Sequence, residues 1–349
     1  MSENLKARRG HYTPEPRKVI QLTARDLQIL EAVRRYRFLT SRHIKGLIEG
    51  SDQQLLKRLR DLMDAGYLMP IRNPKVRRQN GGSHAKIYGI TNLGVGVLAS
   101  EGLIDQDSTN WNRKNAEVND PTTGKGIKTI PHTLLISDII SEIEIFARRS
   151  EGQVRYIDQA EILARSPQTT SRLRNPFEWH VTTRYPMRKR LPSGELDMSV
   201  GQKSTGVTPD WVFGLEFSSK PPGRNRLFYF LEADTGHMPI RRSDLEKTSI
   251  FRKLWGYSGT WAQELLKARF GLANFQVLII TRSETRVNNM VRAFGQLDKQ
   301  VMSVWSKRCQ PWVFQFADRA SGQTDKLLGY RWSNGRGAKL PLTGIPEDL

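Results

Sequence analysis

The sequence predicts two folded parts in series, an α+β module over residues 19–103 and an α/β domain over residues 131–320. Three observations carry this reading. The first hundred residues hold three helix-period segments followed by two short strand-like pieces, while beyond Pro131 apolar runs of strand length alternate with helical ones. Between them, residues 104–130 are polar with scattered Gly, Pro and Asn, the composition of a linker. A chain of 349 residues is long enough for about two domains. Residues 1–18 read as a flexible basic arm and residues 321–349 as a C-terminal tail.

The charge balance narrows the partner. Fifty-five Lys and Arg face 35 Asp and Glu, a net charge of +20, and an excess of that size points to an anionic polymer, with double-stranded DNA first. RNA fits less well, because the stacking aromatics of an RNA-reading sheet are missing and the charge concentrates on one helical module. Cys309 is the sole cysteine, so an internal disulfide and a thiolate zinc cluster are both excluded. The opening segment MSENLKARRGHYTPEPRK lacks an apolar core, and no apolar run approaches the ~20 residues of a membrane span. The expectation is a cytoplasmic protein with no membrane partner.

In the N-terminal module, Thr23 and Asp26 form a near capping box ahead of the stripe Leu27, Ile29, Leu30 and Val33. Phe38-Leu39 interrupt the pattern. Thr40 or Ser41 starts a short second helix that stops at Gly50, and Ser51 opens a third, SDQQLLKRLRDLMDAG, which ends at Gly66. Its inward set reads Leu55, Leu56, Leu59, Leu62 and Met63; its outward set reads Gln53, Gln54, Lys57, Arg58 and Asp61. Strand-like YLMPIR (67–72) and KIYGIT (86–91) flank a polar, basic turn, and a fourth helix follows at NLGVGVLASEG. This order is that of a winged helix-turn-helix, whose third helix enters the major groove. Gln53, Gln54 and Arg58 are then the candidates for base edges and Lys57 for phosphate, with Lys75, Arg77 and Arg78 on the wing tip against the backbone. Residues 1–100 carry 19 Lys and Arg against 8 Asp and Glu, so over half of the excess lies here.

The second part opens with a helix at PHTLLISDIISEIEIFARR, then a strand candidate QVRYIDQAEIL and an irregular basic insertion from Arg165 to about Thr208. PDWVFGLEF (209–217) and RLFYFLEAD (226–234) read as a hairpin. A long helix, the strand FQVLIITRS, a second helix and the strand WVFQFAD complete the order α-β-β-β-α-β with one α and one β added. Glu232 and Asp234 leave the same face of the second hairpin strand, where two like charges repel unless compensated. Water, an ion pair with Arg241, Arg242 or Lys253, and a divalent cation shared with Asp210 are all open at this stage. His237, beside a turn, reads as a polar surface residue, and Cys309 as a small core residue.

That order, with PD opening one strand of a hairpin and ExD closing the next, resembles the PD-(D/E)xK nuclease superfamily, a restriction-endonuclease-like α/β fold. The resemblance implies Asp210 and Glu232 as ligands of Mg²⁺ or Mn²⁺, and Glu142 or Glu144 as an accessory helix glutamate. Asp234 stands where the superfamily's lysine is expected; some members carry that lysine on the following helix, where Lys253 (or Lys247) lies here. The implied catalytic set is therefore Asp210, Glu232, Asp234 and Lys253. Pro131-His132, Pro209-Asp210-Trp211, Leu231 through Gly236, and Lys253 with Tyr257, in that order behind a winged helix, also resemble the plasmid replication-relaxation proteins of mobile bacterial elements. That resemblance spans roughly residues 22–295. It implies a DNA-binding protein of plasmid replication, relaxation or mobilisation whose nuclease-like domain is active or degenerate. The alternative is a winged-helix regulator without enzymatic activity, whose second domain serves dimerisation or docks a replication or mobilisation partner.

Overall fold

A computed structural model describes residues 19–72, 86–105, 107–186, 189–190, 196–197, 200–242, 247–319 and 331–342. They divide into two units, Met1–Ser141 and Glu142–Leu349.

The first unit contains α1 (Ala24–Tyr36), β1 (Leu39–Thr40), α2 (Ser41–Leu47), α3 (Asp52–Asp64), β2 (Leu68–Ile71), β3 (Ile87–Ile90), α4 (Asn92–Ser100) and α5 (Trp111–Asn119). The helix α6 (Lys125–Arg149) carries the unit boundary within it. Each of the first helices starts where an N-cap side chain can take an orphan amide. Thr23 and Asp26 close a full capping box on α1, Thr40 and His43 close another on α2, and Ser51 caps α3. After α3, Gly66 adopts φ +80°, which lets the Gly66 and Tyr67 amides bond back to the Met63 and Leu62 carbonyls. The break expected at Phe38-Leu39 does more than interrupt the helices: Leu39 and the following Thr40 pair antiparallel with β3, giving a three-stranded sheet of order β1-β3-β2.

Residues 104–130 are not a bare linker. They contain α5 and the first turns of α6, which begins at Lys125 and runs through Pro131 instead of starting there. The polar composition that suggested a linker is what docks α5 on the hairpin. Asn115 Nδ2 donates to the Ile90 carbonyl at 2.8 Å, Asn119 Nδ2 to the Pro70 carbonyl at 3.1 Å, and the Arg72 amide to Asn119 Oδ1 at 2.7 Å. Val118 and Ile130 join Phe38, Ile71 and Ile87 in a small apolar core beneath.

In the second unit, β4 (Val154–Ile157), α7 (Gln159–Ala164), α8 (Gln168–Ser171), β5 (Trp179–Pro186), β6 (Lys189–Arg190), β7 (Leu196–Asp197), β8 (Val200–Val207), β9 (Trp211–Phe217) and β10 (Arg226–Ala233) follow in order. Then come α9 (Ile250–Ala262), α10 (Leu265–Phe270), β11 (Phe275–Thr281), α11 (Glu284–Gln300), β12 (Phe314–Asp318), β13 (Arg331–Asn334) and β14 (Lys339–Pro341). Seven strands make one mixed sheet of order β14-β13-β12-β11-β10-β9-β4. The expected β9–β10 hairpin is antiparallel, while β10, β11 and β12 run parallel. Every residue of β11 is buried, as its apolar run Val277–Ile280 requires of a strand covered on both faces.

Four expectations change here. The strand candidate at 153–163 ends at Ile157, because Asp158 caps α7 through the Glu161 amide. The irregular insertion holds a long antiparallel pair, β5 with β8, registered from Trp179↔Val207 to Pro186↔Val200. The tail contributes β13 and β14, which extend the sheet beyond β12. The long helix also splits at Glu264, whose φ is +53°.

The face of α3 differs from its sequence reading. Leu56 is 44% exposed, whereas Asp61 is buried and Arg58 turns inward. Arg58 pairs with the fully buried Asp26 through Nη2 and through Nε at 2.8 Å, and its Nη2 also donates to the Gln21 carbonyl at 3.2 Å. A buried carboxylate at the start of α1 demands a cation, and Arg58 is the one within reach. Burial acts to raise the Asp26 carboxyl, but Arg58 and Thr23 outweigh it and hold it below the usual Asp range. Arg58→Ala is expected to lower the local opening free energy of α1 by on the order of 3 kcal/mol. Loss of hydrogen-exchange protection in α1 would measure this, and unchanged protection would refute the buried pair. Because the folded-state pKa of Asp26 is depressed, its contribution is present above the unfolded value and is lost as pH falls through the folded one.

Candidate functional site

The carboxylates gather where β9 begins and β10 ends. Leu231↔Trp211 is the last pair of the hairpin ladder, so Asp210 lies opposite Glu232. The Asp210 amide donates to the Leu231 carbonyl at 2.9 Å, and Asp210 Oδ2 accepts the Ala233 amide at 2.8 Å. Antiparallel pairing therefore places the two side chains as the hairpin spacing predicts. Glu232 is 2% exposed. Its Oε2 is paired with Lys253 Nζ, and its Oε1 accepts the Tyr257 hydroxyl at 2.7 Å. Lys253 and Tyr257 are one turn apart on α9, so a single helix face supplies both donors.

The packing that aims this face comes from β5 and β8. A Cβ on Gly256 would lie 2.8 Å from the Val207 side chain, and one on Gly259 would lie 3.0 Å from those of Thr183 and Val181. The two glycines thus let α9 close onto that ladder. Trp179 Nε1 donates to Thr260 Oγ1 at 2.9 Å, and the Trp179 ring meets Tyr257 and Phe230 edge-on. The Tyr257 ring is held in this aromatic cluster while its hydroxyl points to Glu232.

Asp234, just beyond β10 and 6% exposed, has separate partners. Thr281 Oγ1 donates to its Oδ2 at 2.6 Å, and Arg286 grips both oxygens, with Nη2 on Oδ1 at 3.0 Å and Nε on Oδ2. Oδ1 also accepts the Gly236 amide at 3.1 Å, in a turn where Gly236 sits at φ +83°. Of the sequence's candidate cations, Lys253 reaches a carboxylate of this group. Arg241 instead donates to Gln296 and Arg242 to the Thr248 carbonyl. The helix glutamates are arranged otherwise: Glu144 is buried and accepts from Arg148 on its own helix at 2.5 Å, and Glu142 is half-buried. His237 is exposed, with Nδ1 3.2 Å from Thr235 Oγ1. Sequence reasoning missed Arg286. The available signal was its place in the first turn of α11, where a cation opposes the helix dipole unless an anion offsets it.

Electrostatics follow from the burial. Desolvation pushes the Glu232 carboxyl up to about 7, Lys253 opposes that shift and Asp210 adds to it. Burial acts to pull the Lys253 ammonium down, but Glu232 and Asp210 more than offset it, so it titrates above its ordinary value. Burial and then Glu232 drive the Tyr257 hydroxyl far up, which leaves it a neutral donor. A hard divalent ion takes ionised carboxylate oxygens. Here both Glu232 oxygens already have donors, Asp210 spends Oδ2 on a backbone amide, and Asp234 is gripped by Arg286. Among the described residues no group of three or more His, Cys, Asp and Glu is arranged to hold a metal. As folded, these residues do not fit a resident divalent ion; Lys253 supplies the positive charge instead.

On α3, Gln53, Gln54 and Lys57 are exposed, as expected of groups that could meet DNA. Arg58 is committed to Asp26, and Arg60, which the sequence reading left out, is exposed. Lys75, Arg77 and Arg78 lie outside the described residues.

A family model described as replication-relaxation matches residues 30–273. No curated protein matches the chain, and neither does any solved structure. No helix among the described residues is long and apolar enough to cross a membrane.

The Glu232 cluster predicts a titration. Followed by NMR or infrared spectroscopy of the carboxyl, Glu232 should ionise near pH 7. Lys253→Met should raise that midpoint and Asp210→Asn should lower it. Its raised folded-state pKa also means that stability falls as pH rises from the ordinary Glu value towards 7, since the folded state holds the extra proton in that window. A midpoint near the ordinary Glu value in all three proteins would refute the desolvated cluster.

Proposed function

The chain belongs to the replication-relaxation family, and we propose that it is a DNA-binding protein acting in the replication, relaxation or mobilisation of a bacterial plasmid or other mobile element. In this reading the first unit is a winged helix-turn-helix. The helix order, the β1-β3-β2 sheet and the exposed polar face of α3 support it. The second unit has a PD-(D/E)xK nuclease-like fold, supported by the succession α6-β4-β9-β10-α9-β11 and by Asp210 opposite Glu232 at the hairpin ends. It does not cleave on its own; it serves dimerisation or docks a replication or mobilisation protein on DNA in the cytoplasm. The observation that carries this is the closure of Glu232, both of whose oxygens are held by Lys253 and Tyr257.

A second reading, Mg²⁺- or Mn²⁺-dependent DNA cleavage, draws on one observation: α9 delivers Lys253 to the Asp210 and Glu232 end of the hairpin, where a nuclease lysine belongs. It requires the ammonium to leave Glu232 so that an ion can enter.

One experiment separates the two. Purified full-length protein should retain duplex DNA at low salt, with affinity falling steeply as salt rises. Supercoiled plasmid incubated with it in Mg²⁺ or Mn²⁺ should stay intact. Nicking that Asp210→Ala or Lys253→Ala abolishes would replace the closed site by the cleaving one. Failure to retain any duplex at low salt would overturn the DNA-binding reading itself.

A further inference from the structure

The stripe of α3 that faces outward is not the one its sequence suggests. Gln53, Leu56, Lys57 and Arg60 follow the i, i+3, i+4, i+7 spacing, so they share one face. All four are exposed. Leu55, Leu59 and Leu62 fill the opposite, buried face, and Arg58 leaves the stripe to neutralise Asp26.

A single exposed leucine needs no explanation. Leu56 is different because it is 44% exposed at the centre of a ridge whose other members are an amide and two cations. The acids along the ridge are engaged: Asp52 with Lys45, Asp61 with Arg58 at 3.7 Å, and half-buried Asp64, one turn beyond Arg60, has a partner as well. The outward charge of this face is therefore positive, in the part of the chain that holds 19 Lys and Arg against 8 Asp and Glu.

A helix of this length fits the major groove, where each base pair presents its own pattern of donors, acceptors and one apolar mark, the thymine methyl. An amide suits adenine, a guanidinium suits guanine and an ammonium suits phosphate, so a leucine among them has one natural counterpart. We propose that Leu56 and Arg60, rather than Arg58, set the sequence preference of this protein, with Leu56 on a thymine methyl and Arg60 on a guanine. One helical turn rises about 5.4 Å, so the two bases lie within one or two steps of each other. The proposal rests on the winged-helix reading above and deepens it by naming the bases.

The test uses the full chain. Wild type, Leu56→Ser and Arg60→Ala each select from a pool of random duplexes, and the enriched wild-type site is then titrated with its thymines replaced one at a time by deoxyuridine, which removes only the methyl. Wild type should enrich a site containing a thymine within two steps of a guanine and should bind one deoxyuridine version about fourfold more weakly. Leu56→Ser should not distinguish the two duplexes, and Arg60→Ala should lose about tenfold of its discrimination at the guanine. Unchanged circular dichroism and melting temperature in both variants check that they are folded. Enrichment of the same site by wild type and both variants, a site without thymine, or no sequence preference at all would overturn the assignment while leaving DNA binding intact. No retention of any duplex by wild type would sink the winged-helix reading, and this inference with it.

Discussion

Glu232 lies at the end of a strand that is hydrogen-bonded on both sides, to β9 antiparallel and to β11 parallel, so it is buried whatever its chemistry. Taking a carboxylate out of water costs several kcal/mol unless donors replace the lost solvent. Much of the second unit's packing serves that replacement. The Lys253 ammonium and the Tyr257 hydroxyl come from adjacent turns of α9. That helix holds its position because Gly256 and Gly259 leave room for Val207, Thr183 and Val181. The β5–β8 ladder, far from the hairpin in sequence, is thereby part of the site: it fixes the helix that fixes the cation.

The same rule explains why the second acid has different partners. Asp234 is reached by Thr281, the last residue of β11, and by Arg286, in the first turn of α11. A planar guanidinium meets both oxygens of a carboxylate at once, whereas an ammonium is a point charge on a flexible stem. Asp234 is thus pinned in a two-point grip, while Glu232 is matched to a group that can rotate away. In the first unit, too, charge that reads as surface is internal: Asp26 closes the capping box of α1 and takes Arg58 out of the outward face of α3. Each of these buried acids draws a basic residue from a different element, so the ion pairs fix contacts between elements as well as neutralise charge.

Local chemistry was legible in the sequence. Thr23, Ser51 and Gly66 mark helix ends through hydrogen bonds a few residues long, and the apolar run Val277–Ile280 suits a covered strand. The hairpin placing Asp210 opposite Glu232, and the one-turn spacing of Lys253 and Tyr257, follow from the periods of strand and helix alone. What was not legible depends on distant partners. Arg286 lies 52 residues beyond Asp234, with α9, α10 and β11 between them, and no local pattern links them. The β5–β8 ladder hides in a polar, basic stretch because much of its alternation faces water, and α5 reads as a linker because its asparagines bond to backbone rather than to core. Leu56 was misplaced for a simpler reason. Leu55 and Leu56 are adjacent, successive residues on a helix diverge by about 100°, and the core has room for one of them.

The division of labour between the two acids limits what the site can become. Asp234 cannot join a cation site without leaving Arg286, a bidentate contact supported by a threonine and by the Gly236 turn. Glu232 can change partner more readily, since its pair rests on one lysine and its own affinity for a proton is raised to about 7. A divalent ion entering here would compete with Lys253 for the same oxygen, and near neutral pH it would also compete with the proton. Burial thus works in two directions: it makes the carboxylate reluctant to ionise, and it makes any cation that does arrive count for more. The charge of Lys253 is therefore the controlling element at Glu232, and an ion or a partner acts on that carboxylate by displacing it.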